Sequence, residues 1–418
     1  MHQGSPRKRT RLERLVATLP FAVLLGCPSA EPRTVAQPPH AEFLVAAGDS
    51  TFWVRTTADG IRRRGSSLLL ARYGGDFYEL YTTDDDRSFY DAVFVGQRVY
   101  RRDLMSGDSV LIYQDTIVTG VQRRWASTHP DDAPLRPDEE GSERPVASAT
   151  ADIELLDVHG AFLSLEHHTD VDVAGARHMH RTVRRVVDLR DRRTATVADV
   201  AGDSAAPAAL AAARRKFESA RDSIREARDP RADRARGAIQ ELRFDARSFT
   251  LTDVDGEPAL AFAVPGDGDH SDGALLPLEP VTVPAPMWWR ALATGFPTGR
   301  DSVEERWQGL GYRVRAHYAP DGESAALALA DARGREWPVG RIPAPVRRIY
   351  WLDAPSIDSA HRVALERAFD DAVLYDETVR LVRARSPRPR GPVVRMASLT
   401  RTPSRPARGA RPHRRSIP

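Results

Sequence analysis

Short runs of aromatic and branched residues punctuate the first third of the chain. Phe43-Leu44-Val45, Thr51-Phe52-Trp53-Val54, Ser67-Leu68-Leu69-Leu70, Phe77 to Tyr81, Ala92 to Val95 and Val110 to Tyr113 each have strand length. Turn signals separate them at Asp59-Gly60, Gly74-Gly75 and Ser106-Gly107-Asp108. This pattern predicts a β meander over residues 42–128, closed as a small sheet or sandwich. Gln97 to Tyr100 and Val110 to Tyr113 are placed to form a hairpin. One such hairpin is not a repeat, so a sheet or sandwich stands ahead of a propeller. Asp84-Asp85-Asp86 reads as a solvated turn between Tyr81 and Phe89, with a metal loop as the alternative.

Residues 129–149 are acidic, rich in proline and without periodicity, which predicts a linker. From 150 to 290 the pattern changes. Ile153 to Leu156, Phe162 to Glu166 and Thr182 to Leu189 read as strands. Leu210, Phe217 and Ile224 then recur every seven residues, with Ala213, Ala220 and Ala227 between them, the signature of one long helix. Strands return at Phe249 to Thr252, Ala259 to Phe262 and Ala274 to Leu278, with Asp255-Gly256 as a turn. Residues 291–379 add two alternating strands across Asp321-Gly322 and a third at Ile349 to Leu352. A helix capped by Ser356 or Asp358 follows, with Val363, Leu365, Phe369 and Leu374 expected inside. That segment reads as a strand-helix extension of the block before it. The fold class expected is α+β: an N-terminal β meander, then an α+β domain with one long helix and antiparallel strands.

The N-terminus carries a different signal. Arg7-Lys8-Arg9-Thr10-Arg11 is a charged stretch, Leu15 to Leu25 is apolar, and Leu24-Leu25-Gly26-Cys27 resembles the bacterial lipobox. Residues 1–26 are therefore expected to be a lipoprotein signal peptide, too short for a confident membrane span. Cys27 is expected to be lipidated and to anchor the chain in a membrane through its acyl groups. An ordinary signal peptide with a chance cysteine is the alternative. Residues 27–41, with Pro28, Pro32, Pro38 and Pro39, read as a tether. The expected location is the cell envelope; the inner or outer membrane is not legible in these residues.

Charge sharpens that division. The chain has a net charge of +3 overall, but residues 1–26 carry +4 and residues 380–418 carry +12, which leaves −13 for residues 27–379. The body is thus acidic, and no nucleic-acid partner is expected for it. The tail from Arg380 is rich in arginine and proline and reads as disordered. It could hold anionic lipid or wall polymer, or could be the product of a shifted reading frame. Lysine occurs only at positions 8 and 216 and asparagine nowhere, which removes a Walker A loop. Cys27 is the only cysteine, so no internal disulfide or thiolate zinc site exists.

Phe162-Leu163-Ser164-Leu165-Glu166-His167, Ala174-Gly175-Ala176-Arg177-His178, Val187-Asp188-Leu189-Arg190-Asp191 and Thr196-Val197-Ala198-Asp199-Val200 follow one another in the middle of the chain. Together they resemble a bacterial envelope domain family of unknown function. That family occurs in lysozyme-sensing anti-sigma factors and beside peptidoglycan deacetylase domains. The resemblance covers roughly residues 150–285. It implies binding in the envelope and no catalysis by the domain alone. Arg192 and Arg193 stand where the family has a Gly-Lys turn. The deacetylase motifs themselves are missing: Thr83-Asp84-Asp85-Asp86 lacks a Gly-Pro, and no His-x-x-x-His occurs.

The candidate chemistry lies in His159, His167, His168, His178 and His180. His178 and His180 would leave one face of a strand, a spacing at which two imidazoles can share zinc, and His168, Asp170 and Asp172 alternate likewise. His168, His178 and His180 are therefore the candidate metal ligands, against the reading of surface histidines and no cofactor. Gly266 to Gly273 lacks the glycine and glutamate of a calcium loop and reads as a hairpin loop. No Gly-x-Ser-x-Gly elbow is present, and no catalytic residue is assigned. Two functions remain: a non-catalytic, lipid-anchored protein binding an envelope glycan or protein, or a metal-dependent envelope hydrolase using the histidines of 159–180.

Overall fold

The computed structural model describes residues 37–136, 139, 141–143, 145–174, 178–226, 242–264, 276–290, 292, 301–306, 309–354 and 357–380. The stretch expected to be a signal peptide, Cys27, most of the expected tether, residues 266–273 and the tail after Arg380 lie outside them. Among the described residues no helix is long and apolar enough to cross a membrane. Strands β1–β21 and helices α1–α5 are numbered in chain order.

Strands β1 (Glu42–Ala47), β2 (Ser50–Thr57) and β3 (Gly60–Ser66) form the expected opening meander. The sequence pattern misses β3, whose centre is Arg62-Arg63-Arg64. Those arginines are paired from the other end of the chain. Arg62 meets Asp376, Arg63 meets Glu377 and Arg64 meets Asp370. Asp376 and Glu377 belong to β21 (Val373–Arg380), which pairs antiparallel with β3, while β20 (Val346–Trp351) pairs with β1. A five-stranded sheet of order β20-β1-β2-β3-β21 thus joins the two ends of the body. Within residues 291–379, β20 and β21 therefore pair with the opening meander.

The second sheet is the largest. It contains β4 (Leu69–Tyr73), β5 (Asp76–Phe89), β6 (Ala92–Asp103) and β7 (Ser109–Gln114) from the first block. It continues with β8 (Ala147–His159), β9 (Phe162–Val173), β10 (Met179–Asp188) and β11 (Arg193–Thr194). Its order is β11-β10-β9-β8-β6-β5-β4, with β7 also on β6. One edge of β6 is shared: Ala92 to Val95 pair parallel with β8, and Arg98 to Arg102 pair antiparallel with β7. Gln97 stands at the fork, its side chain accepting from Ile153 N–H at 2.7 Å and its carbonyl from Asp115 N–H at 3.2 Å. A parallel neighbour needs a long return, and residues 115–146 supply it. They include α1 (Ile117–Thr128), which the sequence pattern misses. The expected linker lies back on the β5–β6 turn, where Leu135 N–H donates to Ser88 O at 2.7 Å and Ser142 N–H to Tyr90 O at 2.6 Å. It connects two strands of one sheet, so the first two sequence blocks share a single frame.

Asp84-Asp85-Asp86 is likewise strand and not turn. Gln97 Nε2 donates to Asp84 at 2.9 Å and Arg98 pairs with Asp85 across the β5–β6 ladder. Polar partners on the facing strand let a charged run hold strand geometry on a solvated face.

The long helix is present as α3 (Ala206–Glu226), preceded by α2 (Val197–Ala201). Its buried Ala209, Ala213 and Phe217 pack with Phe162, Val186, Phe249 and Phe262. Phe249 and Phe262 come from the hairpin β12 (Phe249–Val254) and β13 (Glu257–Val264), joined through Asp255 and Gly256 with φ of 57° and 88°. Two consecutive positive φ values match the primed hairpin turn for which Asp-Gly is favoured. Arg192 has φ of 55°, so a tight turn forms here without a glycine; Arg192 N–H donates to Asp188 O at 2.8 Å. Strand makes up 52% and helix 18%, so the architecture is mostly antiparallel sheet, with α3 as one cover and not the frame of an α+β domain.

Short strands β14 (Leu276–Pro277) and β15 (Val281–Thr282) edge β13, and α4 (Met287–Arg290) follows. A meander of β16 (Ser302–Arg306), β17 (Tyr312–Tyr318), β18 (Ser324–Asp331) and β19 (Glu336–Pro343) forms the fourth sheet. In α5 (Ser359–Ala372) the cap is Asp358, which accepts from His361 N–H at 2.9 Å. Leu365 and Phe369 are buried as expected, whereas Val363 and Leu374 are exposed. Leu374 lies past the helix in β21, so the 3.6-residue spacing no longer applies to it.

Arg63 ties two sheets together. It is 8% exposed, reaches Glu377 and the carbonyl of Arg341 on β19, and stacks over Phe52 and Tyr375. Gly340, at φ of 130°, leaves the space its guanidinium uses; a Cβ there would lie 2.7 Å from Arg63 Nη1. Arg63→Ala strands the Glu377 carboxylate and should cost about 3–5 kcal/mol of unfolding free energy. A loss under about 1 kcal/mol in denaturant unfolding would show that the tie is dispensable.

Candidate functional site

The candidate site grows out of β9. Side chains on a strand alternate between its faces. On one face β9 presents Glu166, His168, Asp170 and Asp172; on the other it presents Leu165, His167, Thr169 and Val171. The registers with β8 and β10 place Glu154 and Arg184 opposite Glu166, Asp152 and Thr182 opposite His168, and Thr150 and His180 opposite Asp170.

The first face therefore carries five carboxylates and three imidazoles. Asp170 sits at its centre of interest. His178 Nε2 lies 3.0 Å from Asp170 Oδ1, and His180 Nδ1 lies 2.6 Å from Oδ2. One carboxylate thus receives two imidazoles, one on each oxygen. The two rings meet edge to face with centroids 4.0 Å apart. The three ligand atoms all lie within 4.8 Å of one another. All three residues are half-buried; Asp170 and His180 are register partners on β9 and β10, and His178 lies just before β10. Two neutral imidazole nitrogens and a carboxylate oxygen form a donor set suited to zinc, with a fourth position open.

His168 does not join that group. Its Nδ1 lies 2.9 Å from Thr182 Oγ1 and its Nε2 lies 3.2 Å from Glu166 Oε1. It forms a second cluster with Glu154 and Glu166, where Arg184 Nε donates to Glu166 Oε2 at 2.9 Å. That guanidinium competes for the carboxylate a cation would need. Asp170 takes the place proposed for His168, and the signal for it was the alternation of His168, Asp170 and Asp172.

His167 faces the other way. Its Nδ1 lies 3.0 Å from Tyr113 Oη, and its Nε2 lies 3.1 Å from Asp115 Oδ1 and 3.1 Å from Thr169 Oγ1. Asp115 also accepts from the N–H groups of Ile117 and Val118, so it caps α1 while it orients the imidazole. Burial pushes its carboxyl up, but the hydrogen bond from His167 and those two backbone donors outweigh this and hold it below the usual range. Burial raises the Tyr113 phenol to about 12. Tyr113 and His167 line a cavity of about 490 Å³ that Arg181 and Arg185 also line. Sequence reasoning left Tyr113 and Asp115 unassigned because 52 residues or more separate them from His167. Asp115 before the apolar Ile117-Val118 was the available signal, that of a helix start.

His159 stands apart from the other histidines. It is buried against Trp289, their rings stacked with centroids 5.1 Å apart. Burial, reinforced by Arg348 and Arg347 and opposed by Asp157, lowers its pKa to about 4.

A comparison with known protein families finds no family model that matches this chain, and one with curated proteins finds no match.

Two outcomes follow. Because the folded pKa of His159 lies below its unfolded value of about 6.5, the unfolded state binds more protons between these values. Stability should be complete above about pH 6.5 and fall by up to about 3 kcal/mol as pH drops toward 4. Denaturant unfolding of wild type and His159→Gln across this range checks it; equal slopes for the two remove the assignment. Separately, Asp170→Asn should change stability by less than about 1 kcal/mol, since exposed ion pairs contribute little. It should weaken zinc binding at least about tenfold by dialysis; unchanged affinity excludes Asp170 as a ligand.

Proposed function

We propose that this chain is a lipid-anchored, non-catalytic protein of the bacterial cell envelope that binds a glycan or protein ligand there. The outer face of β8–β9–β10 is its recognition surface, and a divalent ion such as zinc on Asp170, His178 and His180 is part of it. The observation that carries this reading is the single Asp170 carboxylate held between two imidazoles, that of its β10 register partner His180 and that of His178 just before the strand. The charged stretch, apolar run and Cys27 support the anchor. The resemblance of residues 150–285 to an envelope binding domain supports the location and the class of function. The acidic body supports attraction of cations to that face.

The exposure of the trio favours recognition over turnover. A hydrolytic zinc works in a shaped, water-poor cavity that strengthens its field. None of the three residues lines either of the two described cavities. The alternative is a metal-dependent envelope hydrolase. It draws on Glu166 and His168, which lie on the same face two to four residues from Asp170 and offer a general base.

Two experiments test the proposal. Cys27→Ser should move the protein from the membrane fraction to the soluble fraction; retention in the membrane removes the lipid anchor. The mature chain should co-sediment with envelope sacculi or an envelope protein, and chelator or the His178→Ala/His180→Ala pair should weaken that binding at least about tenfold while far-UV circular dichroism stays unchanged. Release of soluble fragments by the zinc-loaded wild type and not by the pair selects the hydrolase.

A further inference from the structure

A second cavity, of about 390 Å³, opens between the end of β8, the β12–β13 hairpin, α4 and the start of β20. It lies among Asp157, His159, Leu251, Trp289, Arg347 and Arg348. Its volume falls within the range of small-molecule sites.

Arg348 is the feature that needs an explanation. It is only 5% exposed, yet its Nε and Nη1 have no hydrogen-bond partner among the described residues. Nη1 of Arg347 and Nδ1 of His159 are also buried without one. The nearest carboxylate does not meet these needs. Asp157 Oδ1 lies 4.0 Å from Arg347 Nη1 and Oδ2 lies 3.7 Å from His159 Nδ1, both beyond hydrogen-bond reach. Arg184, which also lines the cavity, is engaged by Glu166, and Asp253 at the hairpin carries a negative charge of its own. Buried polar groups are nearly always paired, and an unpaired buried guanidinium is among the most costly groups a fold can keep. Such cost at a cavity wall indicates a group kept for binding. The missing partners of the two guanidinium groups are acceptors, and the fork of a guanidinium fits a planar carboxylate. The stacked faces of His159 and Trp289, together with Leu251, give the other wall an apolar character.

We infer that this cavity is a binding site for a small organic carboxylate, its carboxylate held by Arg348 and Arg347 and its ring or hydrocarbon body packed against Trp289. The site is independent of the cation seat on β9 and β10.

Benzoate, acetate and inorganic phosphate, each matched in ionic strength with sodium chloride, are the probes. Benzoate in the millimolar range should raise the Tm of the mature chain by about 2 °C or more over chloride. Acetate, which lacks the ring, should do less. Arg348→Met should raise the ligand-free Tm or leave it unchanged, because it removes an unpaired buried charge, and should abolish the response to benzoate. Should Arg348→Met fail to fold, Arg347→Gln must still weaken the benzoate response at least about fivefold in calorimetric titration, the loss of one charge-assisted hydrogen bond. No response of the wild type beyond chloride overturns the inference, as does a response that survives in either variant. Stabilisation by phosphate and not by benzoate also overturns it.

Discussion

The register that holds β9 between β8 and β10 is the constraint on which the functional surfaces depend. Period-2 alternation sends His167 inward to Asp115 and Tyr113 and sends Glu166, His168 and Asp170 outward. A slip of one residue would invert both sets at once, burying two carboxylates and exposing Leu165 and Val171. Register is held from both sides. Leu163, Leu165 and Val187 pack into the central core, and Leu251 N–H donates to the buried Ser164 Oγ at 3.0 Å. The apolar face of the strand therefore positions the polar face, and Asp170 inherits its placement from core packing.

That ladder is in turn part of a larger closure. β8 lies parallel to β6, and β20 and β21 bracket the first three strands. Elements from opposite ends of the sequence share sheets, so the body cannot be cut at the composition boundaries. The acidic, proline-rich stretch at 129–149 has the composition of a linker, but Leu135, Ser142 and Val146 donate their N–H groups to carbonyls of the β5–β6 turn. Composition reports what a segment can bury and says nothing about which carbonyls lie within its reach.

Legibility in the sequence followed the same division. Strands with a clean apolar face, such as β1, β2, β9 and β17, were readable, as was α3 through Ala213 and Phe217. β3 and the middle of β5 were not, because Arg62 to Arg64 and Asp84 to Asp86 depend on charges far along the chain or on the facing strand. At the site, the alternation of His178 and His180 was visible locally. Asp170 as their shared partner required the β9–β10 register, and Arg348 as an unpaired buried cation required the tertiary packing of β20. Turn chemistry was legible at Asp255-Gly256, where the dipeptide dictates the conformation, and misleading at Arg192, where Asp188 supports the turn instead.

Asp170, His178 and His180 are proposed to form a coordination site. Optical titration of the purified chain with cobalt(II), which substitutes for zinc and colours low-coordinate nitrogen and oxygen sites, tests it most directly. Visible ligand-field bands should saturate at one equivalent and vanish in both His180→Ala and Asp170→Asn. Featureless spectra of the wild type, or bands that persist unchanged in those variants, would contradict it.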